Sequence, residues 1–402
     1  MAFSLSTKKL YFTMLLLFIF VVTISMVTTS QISRVIVEQA RSASILGLGL
    51  GLVLSIFLTK ISYKNVFSLT VIISFFSFGY LLSLIYGGLI NSTVTVTTML
   101  IIFMGNYLLY SSEIEVFQYK FARWFIIYAI IVLIITIITK GLIFTPIPVF
   151  IFEYSSNAYD INALYSQGTS QFYGYSALAA ASLIVTQDNK TKKNILTILV
   201  LLFILLSFLG GARGDSVFAL IVTSFYLVYR LSLVQNIKIL IFLLVTIYVL
   251  SKFYSFEDFI IFQRLEVLSD GLGSRDVLLS QSIMLLVDNT SCLIHGCGFG
   301  FFQSYFHYPI DLYPHNFIIE LLIVFGLPIT AILLLTSYGG FMEFFRRNGR
   351  VDIIGLFFIY ALFLGLKSGS LNTSWLLMTF FIFFISYYMS SNWSKIVNFN
   401  TR

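Results

Sequence analysis

All histidines and cysteines of this 402-residue chain lie between Cys292 and His315. His315 follows Pro314 and precedes Asn316, a residue that often caps helices, just before a long apolar segment. This order predicts His315 at a helix N-terminus, where the helix dipole lowers the pKa of an imidazole. A neutral histidine there can act as a general base, although a capping histidine without chemistry is an alternative. Glu320 follows Asn316 by four residues, and we expect it to orient polar groups near this helix start.

Three arginines are candidates for binding a phosphate or pyrophosphate, because a guanidinium presents a planar fork of hydrogen-bond donors. Arg213 lies in the sequence Gly-Gly-Ala-Arg-Gly-Asp, which predicts a tight turn with Asp215 or Ser216 capping the next helix. Arg264 and Arg275 lie in a long segment that is otherwise acidic. The alternatives are an interfacial Arg213 paired with Asp215, and local ion pairs of the other two arginines that only fold the segment.

Gly296, Gly298 and Gly300 form a G-x-G-x-G run, which permits a close approach of the backbone to a ligand or simply a turn. The spacing of the cysteines and histidines, C-x2-H-x-C-x9-H-x7-H, matches no zinc finger, and we favour a Cys292–Cys297 disulfide over a zinc site. The chain has no Asp-x-Asp and no G-x-x-x-x-G-K, so a metal-held sugar nucleotide and ATP are not expected. We therefore expect no metal and no cofactor.

The composition indicates which elements must position these residues. The chain is 58% hydrophobic and only 10% charged, whereas a soluble domain is roughly a quarter charged. Apolar runs of about 20 residues recur, each long enough to cross a bilayer, and continuous runs favour helices over barrel strands. The sequence thus predicts an all-α polytopic membrane protein with about 12 transmembrane helices, forming a single integral membrane domain over residues 1–402. The predicted spans begin near Leu10, Ser44, Val66, Val94, Phe121, Phe172, Ile195, Ser216, Ile237, Asn316, Asp352 and Asn372.

The basic residues predict the orientation of the spans. Of the 24 lysine and arginine residues, 16 fall on one side of the predicted membrane and 8 on the other. The positive-inside rule places the richer side, and with it both termini, in the cytoplasm. Two long loops, 141–171 and 253–314, are then outside, and the second carries the presumed site. Because the basic residues lie in short loops between spans, they do not indicate a nucleic-acid-binding face.

Taken in order, these motifs resemble the O-antigen polymerase and O-antigen ligase superfamily of bacterial envelope glycosyltransferases. The resemblance covers roughly residues 205–335 and rests on Arg213 before a span, Arg264 and Arg275 in the long outer loop, the G-x-G-x-G run, and His315-Asn316-x-x-x-Glu320 leading the next helix. One departure is the order Gly273-Ser274-Arg275, since Ser-Gly-Arg is commoner in the family.

The resemblance implies a metal-independent polymerase of the inner membrane that joins undecaprenyl-pyrophosphate-linked oligosaccharide repeat units on the periplasmic face. It implies that Arg213, Arg264 and Arg275 hold the pyrophosphate and that His315 activates the acceptor hydroxyl. Substrate contacts would include Asn316, Glu320, Gly296, Gly298 and Gly300. Its expected partners are the lipid bilayer, a chain-length regulator and a flippase.

Two other functions stay open at this point. A ligase that transfers the finished glycan to lipid A core has the same motifs. A polysaccharide flippase or transporter also suits twelve spans, but transporters of that size usually contain two similar halves, and no repeat is visible here.

Overall fold

The computed structural model describes residues 2–27, 34–58, 63–89, 92–111, 114–143, 148–150, 166–237, 274–309, 312–348, 352–371 and 374–399, with residues 241 and 248. Its first eight helices are α1 (Ala2–Met26), α2 (Arg34–Leu58), α3 (Tyr63–Tyr86), α4 (Ser92–Ser111), α5 (Ile114–Ile138), α6 (Gln167–Thr186), α7 (Lys190–Leu209) and α8 (Arg213–Arg230). The later ones are α9 (Ser274–Asp288), α10 (Thr290–His295), α11 (Phe301–Phe306), α12 (Phe317–Asn348), α13 (Ile353–Ser368) and α14 (Trp375–Phe399). A short antiparallel pair, β1 (Leu142–Ile143) and β2 (Val149–Phe150), follows α5.

The prediction of an all-α fold is confirmed for the described part of the chain. Among the described residues, three helical stretches are long and apolar enough to cross a membrane: Gln118–Ile138, Lys190–Leu209 and Phe317–Arg347. Shorter apolar helices occupy Lys9–Ile24, Ile73–Tyr86, Thr97–Leu108 and Ile353–Ser368. Helices are present at eleven of the predicted spans, and most of the ninth lies outside the described residues.

The two segments expected to be long loops contain regular structure. The strands β1 and β2 lie in 141–171, and α6 already begins at Gln167. The described part of 253–314 is mostly helical, comprising α9, α10 and α11. The helix α9 has 15 residues with polar side chains along its length, and α10 and α11 have six residues each, so they lack the continuous apolar run by which a span is recognised.

The chain divides into two compact units. The first comprises 1–14, 48–114 and 272–402, and the second comprises 15–47 and 115–271. In the first unit, α14 packs against α3, α4, α12 and α13. Aromatic side chains fill the contact between α12 and α14, where the rings of Phe341 and Phe344 both meet that of Phe384 edge-on. This packing holds α12, whose start carries His315.

The helix α12 is broken in its first half. Gly326 has a φ of +73°, outside the helical range, and Pro328 has no backbone N–H to donate to the carbonyl of Val324. The chain that follows α10 supplies substitutes: the N–H of Cys297 donates to the carbonyl of Ile323 (2.7 Å), and that of Gly298 donates to Val324 (3.1 Å). Buried backbone groups that leave the helical pattern need such internal partners, because an unpaired N–H or C=O group away from water costs free energy.

In the second unit, α6 packs against α7 and α8 and is buried over most of its length. Its small alanine and serine residues let neighbouring backbones approach closely. The Ser207 hydroxyl of α7 donates to the carbonyl of Ser170 (2.7 Å), and the Ser216 hydroxyl of α8 donates to the carbonyl of Ser207 (2.7 Å). These bonds fix the starts of α6 and α8 to the end of α7, where the turn before Arg213 lies.

Candidate functional site

The cap of α12 determines where His315 lies. The Asn316 side-chain oxygen accepts hydrogen bonds from the N–H groups of Ile318 (3.0 Å) and Ile319 (3.2 Å), so the predicted cap is confirmed. His315 directly precedes it with a φ of +56°, a left-handed conformation that is uncommon for residues other than glycine. Such backbone conformations cost free energy and are concentrated at functional sites.

His315 is half-buried, and its ionisation is strongly perturbed. The pKa of its imidazole is lowered from 6.5 to about 4, mainly by burial and to a smaller extent by the positive charge of Arg275. The sequence predicted this direction but attributed it to the helix dipole. The Nδ1 atom of His315 is buried and has no hydrogen-bond partner among the described residues. The imidazole is therefore neutral near pH 7, the protonation state that a general base requires.

Asn316 and Glu320 both bind the chain at the end of α13. The Asn316 amide donates to the carbonyl of Leu366 (3.0 Å). The two carboxylate oxygens of Glu320, which is 8% exposed, accept from the Ser370 hydroxyl (3.2 Å) and the Leu371 N–H (2.8 Å). Both residues therefore link the start of α12 to the end of α13. Their contact with a substrate stays a prediction.

The three arginines fall in different parts of the structure. Arg275 is the second residue of α9, in the same unit as His315, and its charge acts on that imidazole. Arg213 is the first residue of α8 and belongs to the other unit. Arg264 lies outside the described residues. The structure thus brings together His315 and Arg275 from the predicted set.

The turn before α8 differs from its predicted form. The cap of α8 is Ala212, which makes no side-chain cap hydrogen bond, so the prediction that Asp215 or Ser216 caps this helix is wrong. Both residues lie within the first turn instead, and the Ser216 hydroxyl donates to the carbonyls of Ser207 and Ala212. A carboxylate at Asp215 still complements the positive end of the helix dipole.

The three glycines of the G-x-G-x-G run contact protein backbone closely. A Cβ atom on Gly296 would collide with the carbonyl of Val324, one on Gly298 with the N–H of Ser83, and one on Gly300 with the carbonyl of Leu89. All three also have positive φ angles. Packing against α12 and the end of α3 is therefore sufficient to explain this spacing, without a ligand.

Cys292 and Cys297 form a disulfide, with 4.9 Å between their Cα atoms. The described residues contain no group of three or more His, Cys, Asp or Glu side chains that could hold a metal ion. His295 stacks on Tyr86 with ring centroids 5.8 Å apart, and His307 ends α11 with an exposed side chain. Neither of these histidines precedes a capped helix.

Tyr313 was not among the residues predicted from the sequence, yet the centroid of its ring lies 4.2 Å from that of the His315 ring. The sequence signal was an aromatic residue two positions before a candidate base. The contact between the two rings depends on the left-handed backbone at His315. A neutral imidazole can accept a proton from a hydroxyl, and a nearby guanidinium can stabilise an anionic leaving group.

Comparison of the chain with models of known protein families and with curated proteins gave no match in either case.

Proposed function

We propose that this chain is a membrane-embedded glycosyltransferase that acts as an O-antigen or polysaccharide polymerase. Its substrates would be undecaprenyl-pyrophosphate-linked oligosaccharide repeat units. The observation that carries the proposal is the neutral, half-buried His315 just before α12, on which the positive charge of Arg275 acts. The resemblance of the motif order to the O-antigen polymerase and ligase superfamily supplies the substrate class.

In the proposed reaction, His315 accepts the proton of the acceptor sugar's hydroxyl as its oxygen attacks the anomeric carbon of the lipid-linked chain. The bond between that carbon and the pyrophosphate oxygen breaks, and undecaprenyl pyrophosphate leaves from the opposite face with both bonding electrons. The anomeric configuration is therefore inverted. Arg275 stabilises the negative charge on the leaving group. Arg213 and Arg264 stay predictions from the sequence for the same role.

We propose the membrane arrangement on the distribution of charge. Twelve spans would place both termini in the cytoplasm and residues 253–314 in the periplasm of a bacterial inner membrane. His315 and Arg275 would then meet the lipid-linked substrate at the outer surface of the bilayer, where a pyrophosphate headgroup lies. A disulfide between Cys292 and Cys297 agrees with an oxidising compartment.

The function is tested by analysing the surface glycan of a deletion strain. A strain that lacks the polymerase should carry a single repeat unit on lipid A core, and re-expression of the wild-type chain should restore the ladder of polymer lengths. Complementation with His315→Ala should leave single units, provided that immunoblotting shows normal amounts in the membrane. A deletion strain with no glycan on the core would indicate the ligase reaction instead, and a normal ladder would contradict both assignments.

A further inference from the structure

The residues on either side of His315 are both tied to the last turn of α13. The Tyr313 hydroxyl donates to the carbonyl of Ser368 (3.4 Å), and the Asn316 amide donates to that of Leu366 (3.0 Å). The last four carbonyls of an α-helix have no partner within the helix, so these two bonds satisfy groups that α13 leaves open. The turn at His315 is thereby held at two points, and Pro314 restricts the backbone between them.

The ring of Tyr313 packs directly against the imidazole. The ring centroids are 4.2 Å apart and the planes are inclined by 44°. Because the hydroxyl of the same residue is bonded to Ser368, the ring cannot turn away without losing that bond. An aromatic ring at this distance excludes water from the adjacent face of the imidazole and restricts its rotation.

We propose that Tyr313 is a positioning residue for His315: its ring fixes the orientation of the imidazole and shields it from water, and its hydroxyl anchors the ring to α13. The inference rests on the proposed function, since it assumes that His315 is the general base. It adds the end of α13 to the site, an element in which neither the motifs nor the resemblance places a site residue.

Among the described residues, the elements around this turn carry several other ionisable groups. They include Arg275 and Asp276 in the first turn of α9, Glu320 in that of α12, and Lys367 in the last turn of α13. Burial is the larger cause of the lowered His315 pKa and the Arg275 charge the smaller, so loss of the Tyr313 ring should act mainly by admitting water. The pKa should then rise towards the ordinary histidine value.

The chain has only three histidines, which makes a direct measurement practical. Histidine-labelled protein in nanodiscs should give three imidazole titrations by NMR, each assigned by its loss in a single His→Ala variant. Tyr313→Ala should raise the pKa of His315 by about one unit because water reaches the imidazole, whereas Tyr313→Phe, which keeps the ring, should leave it low. The matched control is Tyr305→Ala, because Tyr305 precedes His307 by the same spacing but packs on Phe301 and Phe306.

Turnover measurements separate positioning from simple packing. Tyr313→Phe keeps the ring but removes the hydroxyl and its bond to Ser368, so kcat should fall roughly two- to tenfold with an unchanged KM. If Tyr313→Ala does not fold, the kcat of Tyr313→Phe alone tests the positioning role of Tyr313. An unchanged His315 titration in folded Tyr313→Ala, or an unchanged kcat in Tyr313→Phe, would overturn the proposal. Wild-type protein that cannot use lipid-linked repeat units would overturn the proposed function as well, and with it the role assigned to Tyr313.

Discussion

At the scale of single residues, the environment of His315 separates it from the other two histidines. His295 is stacked on Tyr86 and its Nδ1 lies 3.0 Å from the carbonyl of Gly296. His307 is exposed at the end of a six-residue helix. Only His315 among them combines a capped helix start, partial burial and a nearby arginine charge. Perturbed ionisation with a specific charge partner is typical of functional sites.

The lowered pKa of His315 predicts an unusual pH profile. A general base acts in its neutral form, so the rate falls as the pH drops through the pKa, here about 4. We expect kcat/KM for lipid-linked repeat units to be nearly constant between pH 7.5 and 5.5. An ordinary imidazole with a pKa of about 6.5 would lose roughly tenfold at pH 5.5. Such a tenfold loss, observed with protein that stays folded at pH 5.5, would show that the base is not the buried His315.

At the scale of secondary-structure elements, the sequence predicted local features more accurately than contacts between distant segments. The helix positions and the Asn316 cap follow from apolar runs and from neighbouring residues. The close packing of Gly298 could not be predicted in this way, because it depends on the approach of α3 and on the break in α12. The helix α9 could have been found from Leu278, Ser282 and Leu285, which are buried at helical spacing. Of the three arginines predicted to bind pyrophosphate, Arg264 lies outside the described residues.

Substitution of Gly298 tests whether the segment after α10 packs against α3 and α12. Its φ is +84° and an added Cβ would collide with the backbone of Ser83, so Gly298→Ala should reduce the free energy of unfolding by about 1–2 kcal/mol from backbone strain alone, and more from the collision. Thermal unfolding in detergent should show a lower midpoint. The matched control is Gly49→Ala, where nothing lies within 4 Å of the added atom and helix propensity favours alanine. Equal midpoints for the two variants would contradict this packing.

At the scale of the whole molecule, the proposed function requires residues 253–314 to face the periplasm. Ser280 on α9 and Ser232 after α8 are both exposed and are predicted to lie on opposite sides of the membrane. In intact spheroplasts, Ser280→Cys should react with a membrane-impermeant thiol reagent and Ser232→Cys should not. In permeabilised cells the reagent should label both introduced cysteines, which shows that each thiol is reactive when the reagent can reach it. The reverse pattern in intact cells would place His315 in the cytoplasm and exclude the proposed reaction.

The most direct test of the central claim is the turnover of lipid-linked repeat units by purified protein carrying His315→Ala. We expect wild-type protein to form polymer in the presence of EDTA, and His315→Ala to be slower by roughly a hundred- to ten-thousand-fold, because general-base catalysis contributes about that much. His307→Ala is the matched control, since His307 has the same residue type and the same φ of +56°. It should retain near-normal turnover. A folded His315→Ala protein that polymerises at the wild-type rate would contradict the account.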